Sequence, residues 1–406
     1  MEYEIYTLKN GIRLVHKRVD SPVAHCGLIV ETGSRDEEKS EHGIAHLIEH
    51  LLFKGTNKRR AYHILNRMED VGSEINAYTT KEETCIHTTF FKDYYPRAIE
   101  LISDIFNNSV FPEKEIEKEK DVIIDEINSY KDTPSELIFD EFEELAFPGN
   151  PLGRNILGEE KCLKKISRGD ILKFIQNHYH TNEMVISSVG SISFERLVKI
   201  TERYFGHLPE KQNTKDRNVK IIYAPFNKTV NKKTYQVHCV LGNIAYDIKD
   251  EKRYALHLLN NLLGGPGLSS WLNMSLREKN GYAYNVDSSY NAYRNAGIIT
   301  IYFGTDKVNL SRCLKIVAKE LDRVKNTPLT RKQLIKAQKQ LAGHLAISSE
   351  NNENLMFSIG KSMILFNKVD NLKVMNEKIE SVTELQVQEV ANEVFSQDKL
   401  SGLFYV

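Results

Sequence analysis

Two stretches of this chain that lie far apart in sequence look like copies of one helix. AHLIEHLL, residues 45–52, and LHLLNNLL, residues 256–263, align with the leucines kept and with His46 opposite His257. Farther on, LNRMEDVGSEINAYT (65–79) runs loosely in register with LNMSLREKNGYAYNV (272–286), and Pro112 and Pro328 each open a charged helix. A chain built this way folds as two related domains, and its 406 residues suit two units of about 200 better than one core. The polar, charged run GHLPEKQNTKDRNVK (206–220), followed by NKTVNKK, reads as the connection, which places the domains at 1–215 and 216–406. Strand-like IYTLKNGIRLVHKRV, turned at Asn10-Gly11, and HCGLIVETGS precede helical patterns at 61–71, 94–107, 113–130, 134–146 and 168–179. The class is α+β.

Where the copies differ is informative. Apolar positions recur in both, as packing demands, while Glu49 and His50 face Asn260 and Asn261. A structural role for His46, Glu49 and His50 would be needed twice, so the asymmetry points to chemistry in the first copy. No metal is expected at His257. On a helix, positions i, i+3 and i+4 share a face, with Ile44, Leu47, Ile48, Leu51 and Leu52 as the buried stripe and Gly55 as the stop. Two imidazoles one turn apart can ligate one zinc ion, with the carboxylate between them near its water. A third ligand is required. The helix PEKEIEKEKDVIIDEINSY offers Glu119 and Glu126, two turns apart on one face, beside the packing residues Val122, Ile123 and Ile127. Geometry in the sequence does not choose between the two acids. Glu113, Glu115, Glu117, Lys118 and Lys120 read as a solvated face.

The order H-x-x-E-H, set in GIAHLIEHLLFKGT, resembles the inverzincin peptidases of the pitrilysin, insulin-degrading enzyme and mitochondrial processing peptidase family. That resemblance implies one Zn2+ per chain held by His46, His50 and Glu126, which follows His50 at the family's spacing. It also implies Glu49 as general base and Glu119 as support for the ligands. GSEINAYTTKEETCIHTTF (72–90) resembles the family's substrate-binding strand, with Asn76, Ala77, Tyr78 and Thr79 on it. Arg277 and Tyr284 in REKNGYAY match an arginine and tyrosine that act on the substrate; Tyr282 stands where leucine is usual. The implied fold is a pair of homologous domains, each a mainly antiparallel sheet with helices on one side, together forming a half-chamber. The implied activity is zinc-dependent endopeptidase action on unfolded peptides. Short two-domain members assemble the chamber from two chains, so a homodimer with its active site completed in trans is expected. A processing-type subunit needing a different partner chain and a metal-free assembly subunit are the alternatives; the latter lacks the ligands that this chain has.

Composition removes other classes. Fifty-five basic and 55 acidic residues leave no bulk field to gather nucleic acid or anionic lipid. No apolar run approaches the roughly 20 residues of a membrane span, and the start MEYEIYTLKNGIRL lacks a secretory pattern. Five scattered cysteines without a CxxC pair suit a reducing compartment, and the expected location is the cytoplasm. Gly264, Gly265 and Gly267 lack the GK[ST] of a phosphate loop and read as a turn, and His178 and His180, two apart, do not share a helix face.

Overall fold

The computed structural model describes residues 2–213 and 221–406, so the expected domain boundary near residue 215 lies outside the described residues. Two compact units are present. One comprises Met1–Asn128, Arg154–Arg217 and Ile347–Asn371, and the other comprises Ser129–Gly153, Asn218–Ala346 and Leu372–Val406.

The first unit holds strands β1 (Glu4–Thr7), β2 (Arg13–Arg18), β3 (Val23–Val30), β4 (Glu74–Thr79), β5 (Thr84–Phe91) and β6 (Met184–Gly190), in the order β1-β2-β6-β3-β5-β4. Only β2 and β6 run parallel; every other pair is antiparallel. The β1–β2 turn forms at Asn10-Gly11 because Gly11 adopts φ +92, a left-handed conformation that side chains disfavour. In β3 successive side chains point to opposite faces. Ala24, Cys26, Leu28 and Val30 enter the core shared with helices α1 (Ile44–Leu51), α2 (Ala61–Glu69), α3 (Tyr95–Asn108) and α4 (Glu113–Lys131), while Ile29 joins Val15, Cys85, Val185 and Val189 on the other face. That second face is covered by the helix Asn352–Phe366 through Met356, Ile359 and Met363. The strand is therefore buried on both sides and reads as an almost unbroken apolar run.

The second unit repeats this plan. Strands β7 (Asn227–Val230), β8 (Val237–Ala245), β9 (Ala283–Ala292), β10 (Gly297–Thr305) and β11 (Ser401–Tyr405) lie in the order β7-β11-β8-β10-β9, with β7 and β11 parallel and the rest antiparallel. Strand for strand this matches β2-β6-β3-β5-β4, and the helix Lys252–Gly264 follows β8 as α1 follows β3. One face packs on that helix through Leu256, Leu259 and Leu263. The other packs on α5 (Pro134–Ala146) through Ile138, Phe142 and Ala146. Each unit thus takes one covering helix from the other half of the sequence, and each sheet has helical cover on both faces. No helix among the described residues is long and apolar enough to cross a membrane. The five cysteines are free thiols.

Candidate metal centre

An eight-residue helix is too short to persist alone, so α1 exists because of what it buries. Ile44, Leu47, Ile48 and Leu51 have no exposed surface and pack with Ala77 of β4, Ile86 of β5 and Ile116, Ile123 and Ile127 of α4. Truncating one such leucine to alanine typically costs about 2–5 kcal/mol. The opposite side of the helix presents His46, Glu49 and His50. Their rings and carboxylate crowd together, with His46 and His50 centroids 4.7 Å apart and His46 Nε2 4.0 Å from a Glu49 oxygen.

Helix α4 supplies the acids. Its buried stripe runs Ile116, Glu119, Lys120, Ile123 and Ile127, a helical period into which Glu119 fits as a polar member. Two expectations for this helix are corrected. Val122 does not pack but is 43 % exposed, because it sits between the buried turns. Lys120, read as solvated, is buried, its ammonium reaching Glu117 at 2.7 Å and the Lys164 carbonyl at 3.5 Å. The two candidate acids, equivalent by spacing, are separated by environment. Glu119 is buried and accepts from His50 Nδ1 at 3.2 Å and from Lys54 Nζ at 2.8 Å. Glu126, with its side chain 45 % exposed, lies 3.8 Å from His50 Nε2.

One donor atom from each of His46, His50 and Glu126 falls within 4.8 Å of the others, and among the described residues no other set of three His, Cys, Asp or Glu side chains does so. Two nitrogens and one carboxylate oxygen form a zinc donor set, with room for a further ligand. The protonation states suit it. Burial, aided by the neighbouring His50, pushes His46 down to about 4, so its lone pair is available at neutral pH. His46 Nδ1 is buried without a hydrogen-bond partner. With Nδ1 of His50 donating to Glu119, Nε2 is left as an acceptor on the side of Glu126. Burial opposes the charge of Glu119, yet the bonds from Lys54 and His50 outweigh it and hold the pKa below the usual carboxylate range. Burial raises the pKa of Glu49, against the opposing influence of His50. The residues fit a zinc ion.

Strand β4 is the outermost strand of its sheet, paired with β5 alone among the described residues. Ala77 packs toward α1 and Thr79 faces Glu49, whereas the Tyr78 ring turns to the opposite face against Phe357. The Asn76 side chain accepts the Ala77 N–H at 2.9 Å. Arg277 and Tyr284 belong to the second unit. Arg277 lies on the short π-helix Asn273–Glu278 with Nε 3.7 Å from Glu278, and Tyr284 is 74 % exposed on β9, the edge strand corresponding to β4. At the positions matching Glu49 and His50, Asn260 accepts from the Ser288 hydroxyl at 2.6 Å and Asn261 lies 3.1 Å from His344 Nδ1. His180 pairs with Glu183 and His178 is buried; neither joins the cluster. Sequence reasoning missed Lys54, which neutralises Glu119, and the contact of Thr79 with the proposed base. Lys54 lies four residues beyond His50, but α1 has ended by then, so helical spacing gave no signal.

Two related α+β units, the first carrying a His-His-Glu cluster able to hold a metal ion, are what these elements define, and the comparison with known proteins places the chain in a family. Residues 14–160 match the family model described as insulinase (peptidase family M16), and residues 165–341 match the model described as the peptidase M16 inactive domain. A Bacillus subtilis protein described as an uncharacterized zinc protease is 31 % identical over 97 % of this chain and 96 % of its own. One of the same description from Rickettsia felis is 32 % identical over 99 % and 97 %, and one from Streptomyces coelicolor 33 % over 96 % and 87 %. Among solved structures, a protease from Helicobacter pylori superposes with a TM-score of 0.92 at 21 % identity, covering 99 % of both chains. The peptidase M16 inactive domain from Pseudomonas fluorescens gives 0.91 at 20 %, covering 100 % of this chain and 98 % of its own. The chain belongs to the M16 (insulinase) peptidase family, with the two-domain α+β fold of its members.

Proposed function

We propose that the protein is a zinc-dependent endopeptidase that hydrolyses unstructured peptides. The observation that carries this reading is the convergence of His46, His50 and Glu126, with Glu49 inside the same cluster. Zinc, when bound there, supplies Lewis-acid activation of water and of the scissile carbonyl. The chain's own residues do the rest. Glu49, made more basic by burial, accepts a proton from the attacking water and returns it to the leaving amine. Glu119 and Lys54 hold His50 in the tautomer that leaves Nε2 unprotonated. The free edge of β4 at Asn76–Thr79 pairs with the backbone of an extended peptide, which tolerates many sequences and rejects folded substrates. The Tyr284 hydroxyl donates to the developing oxyanion and Arg277 holds a substrate carbonyl or carboxylate; loss of one such donor typically lowers the rate about 10²–10³-fold.

The working form in this proposal is a homodimer enclosing a chamber, with Arg277 and Tyr284 of one subunit serving the metal of the other. A peptide blocked at both ends, digested and mapped by mass spectrometry, tests the activity: internal cuts abolished by a chelator support it, and an intact peptide counts against it. Mixing inactive Glu49→Gln with inactive Tyr284→Phe tests the trans arrangement. Partial recovery is expected, and no recovery in verified mixed dimers contradicts it.

A further inference from the structure

Helix α1 begins without a capping side chain of its own. Its N-cap is Gly43 at φ +100, and a Cβ there would come within 2.9 Å of Leu163 Cδ2 and 3.0 Å of both Gly158 Cα and the Leu157 carbonyl. Neither the backbone conformation nor the space admits the Ser, Thr, Asp or Asn that ordinarily caps a helix. The cap comes instead from outside the helix. Glu37, 3 % exposed, accepts the Gly43 N–H at Oε2 and the Ala45 N–H at Oε1, both at 3.0 Å. One carboxyl group thereby occupies two of the first-turn donors, although burial pushes its pKa up to about 8, so the cap works through these two hydrogen bonds rather than through charge.

The loop that carries Glu37 is itself anchored. Ser34 N–H donates to the Thr80 carbonyl at 3.1 Å and Arg35 N–H to the Lys81 carbonyl at 2.9 Å, while the Arg35 guanidinium pairs with Glu82. Arg154 Nη1 donates to the Glu37 carbonyl at 2.8 Å. Thr80 directly follows Thr79, the residue that faces Glu49. A single loop therefore grips the first turn of α1 at one end and the close of β4 at the other.

We infer that Glu37 is a positioning residue for the metal centre: by capping α1 from a separate loop it fixes the rotation and axial position of that short helix, and so aims His46, Glu49 and His50 at Glu126 and Thr79. Glu37 touches none of those groups. The inference rests on reading the cluster as a metal site. Its test uses the full chain as wild type, Glu37→Gln and Glu37→Asp. Glutamine offers one acceptor and turns an amide N–H toward the other donor; aspartate is too short to reach both. Thermal midpoint, zinc affinity by chelator competition, the visible spectrum of the cobalt-substituted protein, and kcat and KM on a peptide are measured together. The expected result is a cobalt spectrum altered in band position or intensity, zinc affinity at least tenfold weaker, and kcat reduced with KM unchanged. A lower thermal midpoint with wild-type spectrum and zinc affinity in a variant that folds shows Glu37 to be structural only and overturns the inference. Wild type that binds neither zinc nor cobalt sinks the metal reading itself, a separate outcome read before any variant is compared.

Discussion

Glu119 makes no contact with substrate in this account, yet replacing it with glutamine should weaken the metal site measurably. The side chain is almost fully buried and holds two donors, His50 Nδ1 at 3.2 Å and Lys54 Nζ at 2.8 Å. Hydrogen bonds to charged groups contribute about 1.5–3 kcal/mol each. Glutamine keeps the volume and can accept one of the two bonds through a neutral oxygen, but its amide group then confronts the other donor. Where the amide group is the one turned to His50, the ring loses the acceptor that fixes its tautomer, so part of the population carries its proton on Nε2, the nitrogen nearest Glu126. Changes to such supporting residues typically cost about 10–100-fold in metal affinity, equivalent to about 1.4–2.8 kcal/mol. Zinc affinity of Glu119→Gln, measured by competition with a fluorescent chelator and normalised to folded protein, should fall in that range. Lys54→Met should shift it the same way by less, because Lys54 is partly solvated and Glu119 keeps its bond from His50. Affinity within twofold of wild type in Glu119→Gln would refute the argument that Glu119 orients His50.

His16 is buried with no exposed surface, stacked on Phe194, and burial pushes it down to about 4 from 6.5. Between those values the unfolded chain binds a proton that the folded chain does not, so stability falls as pH drops from 6.5 to 4, by at most about 3 kcal/mol. In His16→Gln the zinc-free protein should lose less stability between pH 7 and 5 by urea titration, and an unchanged loss would refute it.

Much of the fold is legible in the sequence because packing writes it twice. The aligned leucines of 45–52 and 256–263 fall on equivalent helices, and the two sheets share one strand order. The helix 134–146 is found at its expected bounds, and Asn10-Gly11 turns the hairpin it signals. What periodicity does not carry is the exchange of covering helices. An apolar stripe says that a helix is buried, not against which sheet, so α5 and Asn352–Phe366 are assigned to units only by their contacts. At the metal centre the i, i+3, i+4 spacing is enough to bring His46, Glu49 and His50 together. Glu119 and Glu126 share a helix face by spacing, and only their different burial distinguishes the proposed support from the proposed ligand. Glu37 and Lys54 act from irregular backbone, where no period exists to reveal them.

The central claim is that a zinc ion at His46, His50 and Glu126 works with Glu49 as its base. The most direct measurement is hydrolysis of a quenched-fluorescent library of unstructured peptides by wild type and Glu49→Gln, each with its zinc content determined. The account predicts cleavage by wild type that a chelator stops, and a Glu49→Gln protein that retains zinc but is inactive. Wild type that carries zinc and cleaves nothing, or Glu49→Gln that cleaves as wild type does, would contradict it.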